Sequence, residues 1–295
     1  YGCQIEDQQM LTEQPRFVGD PVLAVVAATE QAARDAVAVI DVDYDQTPAV
    51  FDEIEAISPT APLVHATHAT SDSDSAYFDM RPQDGTNVCH RFRIRTSALQ
   101  GRTEPDLVID PPALDDDPLR DAFADADVVV EDTFHVPAAA HVPMEPHATT
   151  AQWVDGRLEV TTGTQTPFNL RQDLAGLFGL PTEAVRVVAP PMGGAFGAKT
   201  FMRTEALTAL AAKLTGRPVR CVLDRDEVFN ELTRHAATVH MRIGATREGR
   251  FVAKRIWAYV NTGAYADCGP GVAQKMGYAG VGPYRFDHVA VDSYC

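Results

Sequence analysis

Residues 185–200 read VRVVAPPMGGAFGAKT, and the interpretation of the whole sequence starts from this stretch. Its first residues are β-branched and predict a strand, which two prolines then end. The glycine-dense segment that follows, Gly193–Gly197, lets the backbone approach a ligand closely and turn N–H groups towards an anion. We therefore expect an anion-binding loop between a strand and a helix.

The P-loop of nucleotide-binding proteins is one candidate, because Lys199 and Thr200 end the loop between a strand and a helix. The next strand ends at Asp224, like the strand whose aspartate holds magnesium in such enzymes. However, the P-loop pattern requires glycine directly before the lysine, and Ala198 disfavours the positive-φ backbone that glycine allows there. The two prolines also remove N–H donors. Close strand–helix packing without any ligand is the default interpretation of the loop taken alone.

Composition limits the partners of this 295-residue chain. A formal charge of −16 argues against nucleic acid or an anionic membrane surface as a partner. The five cysteines are widely spaced without a C-x-x-C pair, which predicts reduced thiols in a cytoplasmic protein and no iron–sulfur or structural zinc site in this chain. No signal peptide or membrane-spanning run is recognisable. We interpret the chain as an internal piece of a longer protein.

Hydrophobic periodicity predicts an α+β protein with three regions. Residues 1–60 read as a strand over 22–27, a helix over 30–37 capped by Thr29, and a strand over 39–44. Residues 61–127 are poor in apolar periodicity and strongly acidic towards their end, which predicts a linker with a flexible insertion around an extended stretch at 87–95.

From residue 128 onwards strands alternate with helices, which indicates a domain with mixed sheets. Two helices are predicted to end near Gly179 and Gly216, and a hairpin is predicted to turn at 247–250. The predicted strands cover 128–136, 157–165, 185–190 and 217–224, and the helices cover 167–180 and 203–216.

Five segments of this region share their order and spacing with one protein family. They are HVPMEPHATTAQW (141–153), TGTQTPFNLRQDLAGLFGLP (162–181), VRVVAPPMGGAFGAKT (185–200), LTGRPVRCVLDRDEVF (214–229) and TRHAATVHMRIGA (233–245). Together they resemble the molybdenum-binding subunit of the molybdenum hydroxylases, the xanthine dehydrogenase, aldehyde oxidase and carbon monoxide dehydrogenase superfamily. The resemblance implies a partial hammerhead α+β domain over 1–60 and the first part of a molybdopterin-binding domain, with mixed sheets and packed helices, over 128–295.

The resemblance also implies a cofactor, molybdenum–molybdopterin, expected here in its cytosine dinucleotide form. A glycine-rich loop suits this bulky, phosphate-bearing ligand. The residues implied to bind it are Gln165, Gly193, Gly194, Ala195, Phe196 and Gly197. Phe196 would shape the substrate channel, and Gln165 matches the family's glutamine, whose amide hydrogen-bonds an oxygen ligand of the metal. Molybdenum would be held through the pterin dithiolene, without a direct protein ligand.

The implied function is oxidation of an aldehyde, an N-heterocycle or a similar small molecule with oxygen derived from water. Electrons would pass to iron–sulfur and FAD subunits or domains within an oligomer of heteromers. The general-base glutamate of the family is expected beyond Cys295, so this chain alone is expected to lack a catalytic residue and to be inactive. Thr200 stands where purine-oxidising relatives have glutamate, which disfavours xanthine. A P-loop-like nucleotide-binding protein and a catalytically inactive assembly relative stay open as alternatives.

Three histidines suggest a metal site at first sight. His135, His141 and His147 flank Glu145, but their spacing of six matches neither helix nor strand periodicity. We therefore interpret the MEPH segment as structural.

Two further groups are assigned to packing or capping. The charged residues Asp224–Glu227 are predicted to cap the next helix. Tyr265, Tyr278 and Tyr284, in a Gly/Pro-rich stretch, are predicted to pack a loop rather than to approach an active site.

Overall fold

The computed structural model describes residues 7–66, 85–95 and 118–295, which form two compact units. The first unit comprises Gln8–Gln46 and Ala139–Arg234. The second unit comprises Asp7 and the described residues of Thr47–Ala138 and His235–Cys295. Most of the insertion predicted within the linker lies outside the described residues, and the predicted domain boundaries at 60 and 127 stay predictions.

The helices and strands of the described residues alternate along the chain. The helices are α1 (Glu30–Val37), α2 (Glu53–Ala56), α3 (Arg120–Ala124), α4 (Pro167–Phe178), α5 (Thr204–Thr215), α6 (Arg225–Glu231) and α7 (Gly269–Gly280). The strands are β1 (Arg91–Arg95), β2 (Val128–Val136), β3 (Ala139–Ala140), β4 (Ala148–Val154), β5 (Arg157–Thr162), β6 (Val185–Val188), β7 (Val219–Val222), β8 (Thr233–Arg234), β9 (Ala236–Ala245), β10 (Phe251–Asn261) and β11 (His288–Tyr294).

The first unit is built on a four-stranded mixed sheet with the order β6-β5-β4-β7. β5 and β6 are parallel, whereas β4 is antiparallel to both β5 and β7. Leu158 of β5 and Leu174 of α4 are fully buried in the core, together with Ala206 of α5. Because of the strand directions, the carboxyl ends of β5, β6 and β7 lie at the same edge of the sheet as the start of β4.

Local sequence rules predicted several of these elements correctly. α4 and α5 end at Gly179 and Gly216, which adopt the left-handed conformation with φ of 63° and 62°. α1 begins after Thr29, whose side chain accepts a hydrogen bond from the backbone of Ala32. The predicted strands over 128–136, 185–190 and 217–224 are confirmed within two residues at their ends.

The two strands predicted over 22–27 and 39–44 are wrong. Both segments are described, but neither pairs with another strand among the described residues, and Val39 lies in the turn that follows α1. Val39 is 83% exposed and Tyr44 is 56% exposed, so the alternation along 39–44 does not mark a buried face. The period-two pattern predicts which side chains share a face, but a strand also requires a hydrogen-bonded neighbour.

The second unit contains a five-stranded sheet with the order β1-β11-β10-β9-β2. β10 and β11 are parallel, and the other neighbours are antiparallel. The hairpin predicted at 247–250 is confirmed, since β9 and β10 are joined by a turn closed by Thr246 N–H and the Arg250 carbonyl at 2.9 Å. α7 covers one face of the sheet, where Ile256 and Val291 are buried.

The other face of this sheet carries a buried carboxylate surrounded by guanidinium groups. Asp292 on β11 accepts hydrogen bonds from Arg91 (3.2 Å), Arg93 (3.0 Å), Arg95 (2.9 Å) and Arg255 (2.6 Å). Three of these arginines alternate along β1, so they share one face. Burial alone would raise the pKa of Asp292, but the arginine charges and hydrogen bonds outweigh it and hold this pKa well below its usual range.

The predicted loop of tyrosines needs a correction. Residues 269–280 form helix α7 rather than a loop. The proline lies in the first turn of this helix, where it is compatible with helix formation. Tyr278 on this helix is more than half exposed, so the packing prediction is wrong for it. Tyr265 is buried and contacts the His65 ring, and Tyr284 contacts the Phe251 ring while remaining largely exposed.

Two properties of the described residues complete the fold. Cys89, Cys221, Cys268 and Cys295 form no disulfide with another described residue, and Cys3 lies outside the described residues. None of the helices in the described ranges combines the length and the apolar character needed to cross a bilayer.

The prediction that Asp224–Glu227 caps a helix is confirmed. Asp224 accepts a hydrogen bond from Glu227 N–H at 2.9 Å, and the Glu227 carboxylate accepts one from Asp224 N–H at 2.7 Å. We expect Asp224→Ala to lower the free energy of unfolding by about 1 kcal/mol, because an N-terminal donor of α6 loses its acceptor. Urea unfolding of the purified chain measures this. Asp226→Ala is the matched control, and an equal loss in both variants would contradict the capping role.

Candidate functional site

Three connecting segments of the first unit meet at the edge of its sheet defined above. They are residues 141–147 before β4, residues 163–166 between β5 and α4, and residues 192–200 between β6 and α5. The carboxyl ends of neighbouring parallel strands are a common place for ligands in α/β sheets. The sequence-predicted residues at 165 and 193–197 are therefore brought together.

The glycine loop, residues 193–197, has an unusual backbone. Gly194 and Gly197 have φ values of +104° and +99°, which glycine adopts without strain. Phe196 also has a positive φ, +55°, and its side chain is 72% exposed. A bulky residue in the left-handed region is a true outlier, and such strain concentrates at functional sites. The loop thus presents a large aromatic side chain to solvent.

Two amides of the glycine loop are held by side chains from the other segments. Gly193 N–H donates to Oε2 of Glu145 at 2.7 Å, and Gly197 N–H donates to Oε1 of Gln165 at 2.9 Å. In contrast, the three successive N–H groups of residues 194–196 have no acceptor among the described residues. Successive backbone N–H groups without internal acceptors are the kind of donor set that binds anions in proteins.

The orientation of the Gln165 amide follows from its partners. A backbone N–H can only donate, so the atom that faces Gly197 must be the amide oxygen. This oxygen also accepts from the Thr200 hydroxyl at 3.3 Å, and the Gln165 backbone N–H donates to the Lys199 carbonyl at 2.8 Å. The Nε2 group is left as a donor without an acceptor in the described part of the chain.

Glu145 and Lys199 form an ion pair under the loop that sequence reasoning missed. Lys199 Nζ lies 2.8 Å from Glu145 Oε1, and its side chain is 0% exposed. The hydrogen bonds from Lys199 and Gly193 lower the pKa of the Glu145 carboxyl. The feature of the sequence that could have indicated this pair is a charged residue in each of two family-like segments, MEPH and GAKT. Because the lysine is buried against a carboxylate, P-loop nucleotide binding is not favoured.

The three histidines of the sequence analysis lie in different surroundings, and the ring of His141 lies beside the glycine loop, where a Cβ on Gly197 would be 3.7 Å from its Nε2. Buried His147 has Nε2 3.2 Å from the Ala198 carbonyl and Nδ1 2.9 Å from Glu231 Oε2. His135 belongs to the second unit, where Nδ1 lies 2.9 Å from the Thr238 hydroxyl. In residues 7–66, 85–95 and 118–295, no group of three or more His, Cys, Asp or Glu side chains is placed to hold a metal ion.

A buried polar network fixes the sheet edge to the start of α5. The hydroxyl of Thr149 lies 3.0 Å from that of Thr162 and 2.8 Å from that of Thr204. Glu205 accepts hydrogen bonds from the Thr162 hydroxyl and the Arg203 N–H, both at 2.7 Å. Satisfied buried networks rigidify a core, so the glycine loop is anchored on its C-terminal side.

The site therefore combines free backbone donors, one amide donor and an exposed aromatic ring. Such a set can hold a bulky anion and orient it by hydrogen bonds. The Glu145 carboxylate beside the loop is already bound to Lys199 and Gly193, and the imidazole of His141 lies next to Gly197, where a Cβ would be 3.7 Å from its Nε2.

Comparisons with known proteins agree with this chemistry. A family model described as molybdopterin cofactor-binding domain matches residues 104–295. A probable xanthine dehydrogenase subunit of Bacillus subtilis (strain 168) is 30% identical over 99% of this chain and 34% of its own length. The nicotinate dehydrogenase large molybdopterin subunit of Eubacterium barkeri is 28% identical over 99% of this chain and 61% of its own length.

A solved structure gives the same picture. Quinoline 2-oxidoreductase from Pseudomonas putida 86 matches with a TM-score of 0.74 and 26% identity, over 99% of this chain and 34% of that one. The chain thus spans from about one third to less than two thirds of the length of these relatives.

Proposed function

Because this chain belongs to the molybdopterin cofactor-binding family of the molybdenum hydroxylases, we propose that it forms part of the cofactor cradle of such an enzyme. The observation that carries the proposal is the row of three free N–H groups at 194–196 beside the Gln165 amide. These donors fit a phosphate-bearing, anionic pterin better than a cation or an apolar ligand. The residues present therefore fit the implied cofactor.

The roles of the individual residues follow from their contacts. The glycine loop would supply main-chain donors, and Gln165 would supply Nε2 as a neutral donor to an acceptor on the cofactor. When bound, molybdenum–molybdopterin supplies two-electron oxidation of a small substrate with oxygen from water. Phe196, which is exposed next to these donors, would form one wall of the substrate channel.

The proposed substrate is an aldehyde, an N-heterocycle or a similar small molecule. Thr200 has a short side chain, and its hydroxyl donates to Gln165. It cannot supply the carboxylate that the family resemblance associates with purine oxidation at this position, which disfavours xanthine. The names of the nicotinate and quinoline enzymes support an N-heterocycle as the first substrate class to test.

The remaining parts of the proposal concern the whole enzyme. We propose the cytosine dinucleotide form of the cofactor, iron–sulfur and FAD subunits or domains as electron acceptors, and a cytoplasmic oligomer of heteromers. The catalytic glutamate would lie beyond the position of Cys295. A partial hammerhead domain over residues 1–60 is also proposed from the resemblance, although 22–27 and 39–44 pair with no strand among the described residues.

We expect about one molybdenum atom per copy of this chain in the native assembly. Gln165→Ala should lower molybdenum retention or turnover roughly 10- to 100-fold, the usual effect of losing an outer hydrogen bond to a metal site. Metal analysis and turnover with an aldehyde and an N-heterocycle measure this.

Gln152→Ala is the control, because Gln152 makes its hydrogen bond to Glu159 elsewhere in the same unit. A folded native assembly without molybdenum would refute the proposal and favour a cofactor-free assembly relative. Magnesium-dependent ATP or GTP binding would favour the nucleotide-binding alternative.

A further inference from the structure

We propose that Glu145 and Lys199 are positioning residues that hold the glycine loop in its donor-presenting conformation before the cofactor binds. The inference rests on the proposed function, because it assigns a role towards the same ligand. A single carboxylate, that of Glu145, connects Gly193, the first residue of the loop, with Lys199, which follows the loop.

The hydrogen-bond pattern of Glu145 supports this role. Its two oxygens bind residues on the two sides of the free donors, since Oε2 accepts from Gly193 N–H at 2.7 Å and Oε1 accepts from Lys199 Nζ at 2.8 Å. A second connection runs between the backbones, where Glu145 N–H donates to the Gly193 carbonyl at 3.2 Å. Glu145 therefore fixes both the N–H and the carbonyl of the residue that precedes the free donors.

Two glycines provide the space for this ion pair. A Cβ on Gly193 would lie 2.8 Å from Cβ of Glu145, closer than real Cβ contacts allow. A Cβ on Gly163 would lie 3.1 Å from Glu145 Oε1 and 3.4 Å from Lys199 Nζ. The close approach explains why glycine is needed at 193, whereas a Cβ at 163 would require the charged groups to shift by a few tenths of an ångström.

Burial makes the pair strongly dependent on both partners. The Lys199 side chain is 0% exposed and that of Glu145 is 39% exposed, so the lysine depends on Glu145 for its counter-charge. Removing one partner of such a pair leaves an uncompensated charge in a poorly solvated place. The residue 199 backbone also holds Gln165, whose N–H donates to the Lys199 carbonyl. A displaced Lys199 would thus disturb the amide donor as well as the loop.

The pair has no chemical step of its own to perform. Both Glu145 oxygens already accept a hydrogen bond within the protein, and the Lys199 side chain is enclosed, so the observed contacts are those of a structural pair. What the pair determines is which loop amides are occupied and which are free. Without Glu145, the Gly193 N–H loses its acceptor and becomes a fourth unpaired donor beside those of residues 194–196. The loop then has no contact that fixes its first residue.

Hydrogen exchange of the loop amides tests the proposal. The native assembly is produced with and without molybdenum-cofactor synthesis, and exchange is measured by mass spectrometry for wild type, Glu145→Gln and Lys199→Met. In the cofactor-free assembly we expect exchange over residues 192–200 to be at least about tenfold faster in both variants. In the loaded assembly we expect faster cofactor release without a changed pH profile of turnover.

Glu159→Gln is the matched control, because it removes a charge from an exposed pair with Arg186 in the same unit. Loop exchange within twofold of wild type in both folded variants would overturn the proposal. Loss of protection throughout α4 and α5 in both variants would also overturn it, since the pair would then hold the unit rather than the loop. If wild type carries no molybdenum, the proposed function fails, but the exchange comparison still decides on the loop.

Discussion

Asp292→Asn is expected to lower the free energy of unfolding by about 3–5 kcal/mol, the largest stability effect among the substitutions considered. Asp292 is 1% exposed and is the common acceptor for four guanidinium groups, those of Arg91, Arg93, Arg95 and Arg255. Asparagine keeps the size of the side chain but removes the charge and one of its acceptor oxygens. The arginines would then repel each other in a poorly solvated place.

Lowering the pH should reduce the difference in the free energy of unfolding between wild type and Asp292→Asn. The pKa of Asp292 is lower in the folded chain than in the unfolded chain. Its stabilising contribution is therefore full above the unfolded pKa of about 3.9 and is lost as the pH falls towards the folded pKa. Denaturant unfolding at neutral pH and at decreasing acidic pH measures both effects.

Asp287→Asn is the control for this prediction. Asp287 pairs with Arg250 at 3.2 Å, but both side chains are substantially exposed, so the loss should be at most about 1 kcal/mol. An Asp292→Asn variant as stable as this control would show that the four arginines are satisfied by backbone carbonyls instead. Arg95 and Arg255 do make such bonds, at 2.9 to 3.1 Å.

Elements whose formation is determined by residues within the element itself were predictable from sequence. α4 and α5 have apolar residues at helical spacing and a glycine at the end, and the hairpin after β9 has its turn residues in place. The strands predicted over 22–27 and 39–44 failed because a strand depends on a neighbour that the segment itself does not specify. Helix α7 was hidden by its glycines and proline, which are unfavourable in a helix interior but tolerated where tertiary packing decides.

The candidate site shows the same division. Gln165 and the glycine loop were identified by resemblance, and the structure places them 2.9 Å apart at the Gly197 amide. The partnership of Glu145 and Lys199 joins residues 54 positions apart, and no periodicity connects them. Long-range ion pairs depend on how strands are ordered in a sheet, and this order is not visible in the local pattern of either segment.

Gly193→Ala is expected to have the largest effect on the candidate site itself. The new Cβ would lie 2.8 Å from Cβ of Glu145, and this atom cannot swing away as the tip of a flexible side chain could. Either the segment around Glu145 or the loop backbone must move. Overpacking of this kind costs about 1–3 kcal/mol, which corresponds to roughly a 5- to 150-fold loss of affinity when the strain falls on the bound state.

The expected result is cofactor release from the native assembly that is faster by that factor, measured as molybdenum retained during dialysis. Gly176→Ala is the control, because this glycine lies inside α4 and its Cβ would meet no atom within 4 Å. Alanine there should stabilise the chain by about 0.5–1 kcal/mol and leave cofactor release unchanged. Equal release rates in wild type and Gly193→Ala would mean that the contact between Gly193 and Glu145 is not what shapes the cofactor-binding loop.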